Sequence, residues 1–352
     1  MRKKYQVVYR FLFVFIVITS YIFFSAWIQN KQVPLDKQKE NPEKKNEKQE
    51  TVEEEQPGPA DTVRIGAYII SIYDLDFPAN KVAVDFYIWY NTMKDSLELM
   101  ENFEVVNAIE YNKSHENDER RGSMIYQNFR VNSVIKKEWD ISHFPFDKQV
   151  IEVTIEDYDK DHSRLVFLPD TAASKYDKNI RIGGWKITDF GIKENNHVYE
   201  TNYGDPEIPM GEYSSYSRVI VYVAIEREGN GLFFKLFLGL FISVLISLIT
   251  FFIDPTDLDP RFGLSVGAIF AAIASQYVIT STLPQNERFT LVDILHDISF
   301  IFIFLCIVGS VISLHLKKLG RIKEQLKLDK YGFFILAIFY MALAVFFVLR
   351  SV

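Results

Sequence analysis

Residues 139–149 of the chain read Trp-Asp-Ile-Ser-His-Phe-Pro-Phe-Asp-Lys-Gln, and this stretch decides the fold. It is followed by residues 151–156, which alternate apolar and polar side chains as a half-buried β-strand does. Phe144 and Phe146 are expected to bury against a neighbouring layer, while Pro145 fixes the turn, for which a cis peptide bond is one option. The stretch therefore predicts a tight aromatic loop at one end of a β-domain.

The same alternation recurs on both sides of this loop. Residues 82–90 and 219–225 repeat it, and turn signals such as Phe77-Pro78-Ala79-Asn80 separate the runs. The pattern predicts an all-β, immunoglobulin-like antiparallel sandwich of about ten strands over residues 61–228. Residues 29–60 are rich in Lys, Glu, Gln and Pro and are predicted to form a disordered charged linker, because such a composition cannot bury a core.

Beyond Glu228 the composition becomes apolar. Four stretches are each about 20 residues or longer, which is enough to cross a hydrocarbon core of roughly 30 Å. They cover residues 232–253, 262–283, 291–316 and 331–349. A four-helix transmembrane domain is therefore predicted over residues 229–352, because four such lengths in close succession speak against helices of a soluble core.

A fifth apolar run lies within residues 1–28, after a basic start. It is either a cleaved signal peptide or an uncleaved signal-anchor helix, and its length and the lack of a small-residue cleavage site favour the anchor. With the N-terminus inside, the basic Lys317–Lys330 connection is cytoplasmic, in agreement with the positive-inside rule. We therefore expect a multi-pass protein of the plasma (cell inner) membrane whose sandwich is extracellular or periplasmic.

Composition and charge also exclude several classes of function. The net charge of −7 argues against a nucleic-acid partner, and the single cysteine, Cys306, allows no intrachain disulfide. The histidines show no metal-like spacing, and the polar half has neither a nucleophile motif nor a phosphate-binding glycine loop. The sequence predicts no metal, no cofactor and no enzyme activity.

Several short motifs fall in a fixed order along the chain. They are Phe144-Pro145-Phe146-Asp147-x-Gln149, Gly184-Trp185-Lys186-Ile187, Arg227 before the first span, and Arg261 and Leu283-Pro284 at the two ends of the second. In this order and spacing the chain resembles the pentameric ligand-gated ion channels, the Cys-loop receptor superfamily, over about residues 61–350. It is most similar to the prokaryotic members, which lack the Cys-loop disulfide.

The resemblance implies a homopentamer in membrane lipid, gated by a small-molecule ligand or by protons and passing inorganic ions. It assigns coupling between the sandwich and the gate to Phe144, Pro145, Phe146, Asp147, Arg227, Asp76 and Pro284. From the residues themselves, Asp147 and Arg227 are expected to lie together at a partly desolvated interface, where an opposite charge favours the ionised carboxylate. A pair that only holds the domain together is the alternative.

The resemblance also implies a ligand site between subunits, lined by aromatic side chains. The candidates are Tyr158, Tyr199, Tyr203, Tyr213 and Tyr216, with Tyr126 and Trp89 from the neighbouring subunit. An aromatic cage of this kind can hold a cation through the ring quadrupole. Because aromatic residues make up 15% of the chain, tyrosines that only pack on strands are the alternative.

By the same resemblance, the second span lines the pore. The inward positions at the family's spacing are Gly263, Gly267, Phe270, Ala274, Val278 and Ser281, with Asp259 at the cytoplasmic mouth slightly favouring cations. Phe270 stands at a hydrophobic constriction, which can gate by dewetting. Channels usually place Ser or Thr on the inner turns, where this face offers Gly, Gly, Phe and Ala, while Ser265, Ser275 and Thr280 fall off the face. A non-conducting membrane receptor of the same architecture is therefore the alternative function.

Overall fold

The protein consists of a β-sandwich followed by a bundle of four apolar helices. The computed structural model describes residues 60–94, 97–204, 214–284 and 289–351. All of them belong to one compact unit, Gln56–Val352. The predicted N-terminal helix at residues 1–28 and nearly all of the charged linker lie outside the described residues.

The sandwich is built from two sheets and a small hairpin. The strands of the described residues are β1 (Asp61–Asp76), β2 (Lys81–Thr92), β3 (Phe103–Val105), β4 (Ala108–Arg121), β5 (Met124–Lys136), β6 (Lys148–Asp157), β7 (Leu165–Pro169), β8 (Lys175–Tyr176), β9 (Trp185–Glu194), β10 (His197–Tyr199), β11 (Ser214–Tyr216) and β12 (Arg218–Arg227). One sheet has the order β4-β5-β2-β1-β7 with β8 beside β1, the other has the order β3-β6-β12-β9, and β10 pairs with β11. The predicted sandwich is confirmed, although β7 and β8 pair with β1 in parallel rather than antiparallel.

The apolar residues of the alternating pattern that predicted the strands are the residues whose side chains are buried in the core. In β12, Val219, Val221 and Val223 are almost completely buried in the core. Between the sheets, the ring of Phe103 on β3 meets that of Phe129 on β5 edge-on, with 5.0 Å between centroids. Each fully buried side chain of this size contributes roughly 1.5–3 kcal/mol. The sandwich is therefore held by burial between its two inner faces.

Three of the four helices begin earlier than the apolar stretches that predicted them, and the third begins at the predicted residue, Leu291. They are α1 (Gly229–Ile249), extended by a 3-10 turn at Thr250–Phe252, α2 (Leu258–Thr280), α3 (Leu291–Lys318) and α4 (Ile322–Ser351). All four are long and apolar enough to cross a membrane. Most of the predicted Lys317–Lys330 connection is helical, and only residues 319–321 separate the third and fourth helices. Lys, Glu, Gln and Leu are good helix formers, so α4 continues outward past its apolar part.

A buried ion pair fixes the rotation of α2 within the bundle. Arg261, whose side chain is fully buried, donates to Asp329 Oδ1 on α4 over 2.7 Å and to the carbonyl of Ile253 over 2.7 Å. Ser313 on α3 donates to the other oxygen of Asp329 over 2.9 Å. These bonds join α2, α3 and α4 at the end of the bundle far from the sandwich. The opposite side of α2 is exposed in the part of the chain that the structure describes.

Candidate functional site

The loop of residues 139–149 lies directly against the first turn of α1. The Phe144–Pro145 peptide bond is cis, the option expected for this turn. Phe144 is buried, and the ring of Phe146 stacks near that of Phe233 with 5.9 Å between centroids. A Cβ added to Gly229 would lie 2.3 Å from the carbonyl oxygen of Pro145. The loop therefore contacts the helix with no space between the two backbones.

Asp147 and Arg227 form a two-pronged ion pair in this interface. Arg227 Nε donates to Asp147 Oδ1 over 2.6 Å, and a terminal guanidinium nitrogen donates to Oδ2 over 3.2 Å. Gln149 Nε2 also donates to Oδ2, over 2.9 Å. The carboxylate is 1% exposed and the Arg227 side chain 12% exposed. The predicted proximity of the two charges is thus present, and every oxygen of the buried carboxylate has a donor.

The Arg227 guanidinium is also enclosed by aromatic rings. It lies 4.0 Å from the ring centroid of Trp185, 4.8 Å from that of Phe77 and 5.1 Å from that of Phe144. Phe77 stacks in turn on Trp139 at 4.2 Å. An arginine over ring faces gains about 0.5–2 kcal/mol, and more as the site loses water. Sequence reasoning missed Phe77 and Trp185 as members of this group, which we call the Arg227 cluster.

The β1–β2 turn reaches the end of α2 beside this cluster. A cleft there is lined by residues 74–78, Lys81 and Thr282. The carbonyl of Asp76 accepts from Trp139 Nε1 over 3.1 Å, and its side chain accepts from the amide of Ala79 over 2.9 Å. Pro284 is buried just beyond Thr282. The structure therefore places the predicted coupling residue Asp76 beside the Arg227 cluster, and Pro284 follows Thr282 of the same cleft by two residues.

Gly229 provides a test of this close contact. We expect Gly229→Ala to lower the free energy of unfolding by about 1–3 kcal/mol, because the added methyl group overlaps Pro145 and must push the loop from the helix. The matched control is Gly231→Ala, where a Cβ meets nothing within 4 Å and helix propensity improves by up to about 1 kcal/mol. Thermal unfolding of the detergent-solubilised protein measures both. Equal behaviour of the two variants would contradict the tight contact.

Three of the predicted ligand tyrosines come together at the β10–β11 hairpin. The ring of Tyr199 lies 5.5 Å from that of Tyr203 and 5.6 Å from that of Tyr216, both edge-on. His197 adds a fourth ring, 4.5 Å from Tyr199. The hairpin thus presents a compact aromatic surface beside the C-terminal end of β6.

Two charged residues complete this aromatic group: Glu156, which the sequence predicts as a source of negative potential at the ligand site, and Arg218, which sequence reasoning missed. Arg218 pairs with Glu156, lies 5.2 Å from the Tyr199 ring centroid and donates to the Tyr199 hydroxyl. That hydroxyl donates to Glu156 over 3.1 Å. Desolvation and then the charge of Glu156 raise the pKa of Tyr199 to about 12, so it stays a neutral donor. The only sequence signal for Arg218 was its position two residues after Tyr216, at the start of β12.

The other predicted ligand residues lie apart from this group. Tyr158 stands exposed directly after the end of β6. Tyr126 and Trp89 lie on the other sheet, where Arg121 covers the Tyr126 ring at 4.5 Å and Trp89 Nε1 donates to Asp170 over 3.3 Å. Tyr213 lies outside the described residues. Of the predicted ligand residues, a single chain therefore brings together Tyr199, Tyr203 and Tyr216.

The predicted pore positions lie on one side of α2, opposite its buried side. All are exposed in the single chain: Asp259, Gly263, Gly267, Phe270, Ala274, Val278 and Ser281. The buried side is formed by Arg261, Ser265, Ala268, Ala272 and Ile279. Ser265 Oγ lies 3.4 Å from Ser247 Oγ, and Ser275 Oγ 3.4 Å from His296 Nε2. These hydroxyls thus contact the subunit's own helices and are turned away from the predicted pore face.

Comparison with known proteins identifies distant relatives of the chain. No protein-family model matches the chain. The chain is similar to γ-aminobutyric acid receptor subunits. It is 23% identical to the β subunit of Lymnaea stagnalis over 185 residues, which are 52% of this chain and 34% of that subunit. It is 23% identical to the human rho-1 subunit over 206 residues, covering 58% and 40%, and 22% identical to the rat rho-2 subunit over 212 residues, covering 60% and 43%.

These distant relatives belong to the pentameric Cys-loop ligand-gated channel superfamily. The chain spans 34–43% of the length of the relatives it matches. A sandwich followed by four apolar helices fits the Cys-loop receptor architecture. The protein is therefore a multi-pass membrane protein with an extracellular β-domain, and its relatives are receptors rather than enzymes.

Proposed function

We propose that the protein is a homopentameric ligand-gated ion channel. The sandwich receives the stimulus, the Arg227 cluster transmits it, and α2 of each subunit lines the pore. Ring assembly would bring the exposed side of α2 from five copies to a common axis. The stimulus is a small molecule or protons, and the exposed Asp257 and Asp259 at the start of α2 slightly favour cations among the permeating inorganic ions.

The observation that carries this proposal is the continuous path through Arg227. Strand β12 ends at Arg227 and α1 begins at Gly229, so one residue separates the sandwich from the first span. Arg227 is bound on the sandwich side by Asp147 and by the Trp185 ring. A displacement of β12 therefore moves the start of α1 directly. The buried Arg227 guanidinium can satisfy its charge in few positions. It is therefore suited to an element that switches between two discrete arrangements.

The hairpin tyrosines are the proposed ligand contacts. Tyr158, Tyr199, Tyr203 and Tyr216 would face Trp89 and Tyr126 of the neighbouring subunit, and Tyr213, which precedes β11 in the sequence, is a further proposed contact. The relatives are named for γ-aminobutyric acid, which carries an ammonium and a carboxylate group. The clustered rings of Tyr199, Tyr203 and Tyr216 offer faces to the ammonium group of such a molecule. A small zwitterion or amine is therefore the first ligand class to test.

The second candidate function is a receptor that does not conduct. The observation that favours it is the chemistry of the exposed side of α2, where Gly263, Gly267, Phe270 and Ala274 carry no hydroxyl. Ser265 and Ser275 are committed to Ser247 and His296 inside the bundle. A pore lined in this way would be narrow and apolar.

Current recording from the reconstituted full chain separates the two. We expect current when small amines, γ-aminobutyric acid or acidic pH are applied to the sandwich side. Tyr199→Phe should raise the half-maximal ligand concentration at least about tenfold, because hydrogen bonds to charged groups contribute about 1.5–3 kcal/mol. Tyr68→Phe, an exposed tyrosine on β1, is the control. A stable pentamer that stays silent under every stimulus would favour the non-conducting receptor.

A further inference from the structure

Two opposite charges lie at the same depth inside the apolar helices. Lys235, the single charged residue of α1, stands six residues after the start of that helix, and Asp297 stands six residues after the start of α3. Each is about 9 Å along its helix axis. The rings of Phe237 and His296, close neighbours of the two charges in sequence, lie 6.1 Å apart. Lys235 and Asp297 are therefore level with one another.

Both side chains face away from their own bundle. Lys235 lies two residues from the buried Phe233 and Phe237, which is about 200° around the helix. Asp297 has the same relation to the buried Leu295 and Ser299. Lys235 is exposed and Asp297 half-buried, and no other side chain among the described residues forms an ion pair or hydrogen bond with either side chain. The two charges point outward from helices that pack on each other by their inner sides.

An unpaired carboxylate at this depth is costly in lipid. Charged groups in membrane spans are rare, and they pair with one another or face water-filled space. A lysine has a long stem by which it can reach the membrane surface, whereas an aspartate has a short one. Asp297 therefore needs a cationic partner from outside its own bundle at the level where it stands.

We propose that Asp297 of one subunit forms an ion pair with the partner subunit's Lys235, across a contact between α3 of the first and α1 of the second. The inference rests on the proposed pentamer. Each subunit presents an acid on one side and a base on another, so the contact is head-to-tail, and a head-to-tail contact that repeats around an axis closes a ring. The partner that fits this surface is a second copy of the chain.

Crosslinking of engineered cysteines tests the pair. In a Cys306→Ser background, Lys235→Cys and Asp297→Cys are combined in one chain and treated in membranes with a short bis-methanethiosulfonate reagent. We expect a ladder of covalent dimers to pentamers on a denaturing gel. Each cysteine alone should give no ladder, because equivalent positions do not meet in a head-to-tail contact. Ile249→Cys with Asp297→Cys is the matched control, since Ile249 is exposed near the far end of α1.

Charge exchange gives an independent readout on the otherwise unmodified chain. Lys235→Asp or Asp297→Lys alone should reduce the pentamer fraction in detergent about fivefold or more, and the double exchange should restore it to within about twofold. A wild-type pentamer without the crosslinked ladder, and with single exchanges that assemble normally, would overturn the ion pair alone. Absence of a wild-type pentamer would overturn the proposed assembly and the pair together.

Discussion

Replacing Arg227 with glutamine is expected to lower the free energy of unfolding by about 3–5 kcal/mol and to abolish the response to any stimulus. Breaking a buried pair leaves an uncompensated charge, here the carboxylate of Asp147, which is 1% exposed. The rings of Phe77, Phe144 and Trp185 lose the cation that they enclose. Thermal unfolding of the solubilised protein measures stability, and current from the reconstituted protein measures the response.

Three further variants separate charge from geometry. Arg227→Lys keeps the charge but loses the two-pronged contact and the ring stacking, so it should recover only part of the stability. Asp147→Asn in the Arg227→Gln background should cost less than the sum of the two single changes, because they share one interaction. Lys193→Gln is the control, since its pair with Glu152 is largely exposed and such pairs contribute about 0–1 kcal/mol.

The outcome also decides between the two roles considered for this pair. A structural clamp predicts lost stability with a normal response in the protein that still assembles. A coupling element predicts a lost response even in assembled Arg227→Lys pentamers. Normal stability and a normal response in Arg227→Gln would exclude both roles.

Local patterns in the sequence were sufficient to predict the architecture. Alternation in β12 predicted a strand because Val219, Val221 and Val223 share one buried face. The loop at Phe144–Pro145 was predictable because proline and flanking aromatic residues dictate a turn with buried rings. The pairing of Asp147 with Arg227 followed from their charges and from the position of each next to the membrane domain. For the strand and the loop, the deciding information lay within a few residues of the feature, whereas Asp147 and Arg227 are 80 positions apart.

What the sequence did not reveal depends on contacts between distant residues. Arg261 was recognised only as the start of a helix, yet it is fully buried by Asp329, 68 positions later. Arg218 escaped notice because an arginine at the start of a strand is usually solvated, whereas here Glu156 and Tyr199 enclose it. No local pattern encodes which distant carboxylate faces a given arginine, because that depends on strand register and on the rotation of each helix.

The second large effect is expected at Phe270, the bulkiest residue on the proposed pore face of α2, whose side chain is 67% exposed in the single chain. In a closed ring, five such rings would form an apolar constriction from which water withdraws. Phe270→Ser should raise the current without ligand by roughly tenfold or more, which corresponds to a shift of at least about 1.4 kcal/mol in favour of the wetted state.

Ile273→Ser is the matched control for this experiment. Ile273 is also exposed, but three residues along a helix rotate it by about 300°, toward the flank of the proposed pore face. A serine at position 273 leaves the proposed constriction of five Phe270 side chains intact, so the unliganded current should stay at the wild-type level. Equal currents from the two variants would mean that α2 is rotated relative to the proposed axis. If Phe270→Ser pentamers stay silent as well, the barrier is not this ring, and the apolar face formed by Gly263, Gly267 and Ala274 would belong to a receptor that does not conduct.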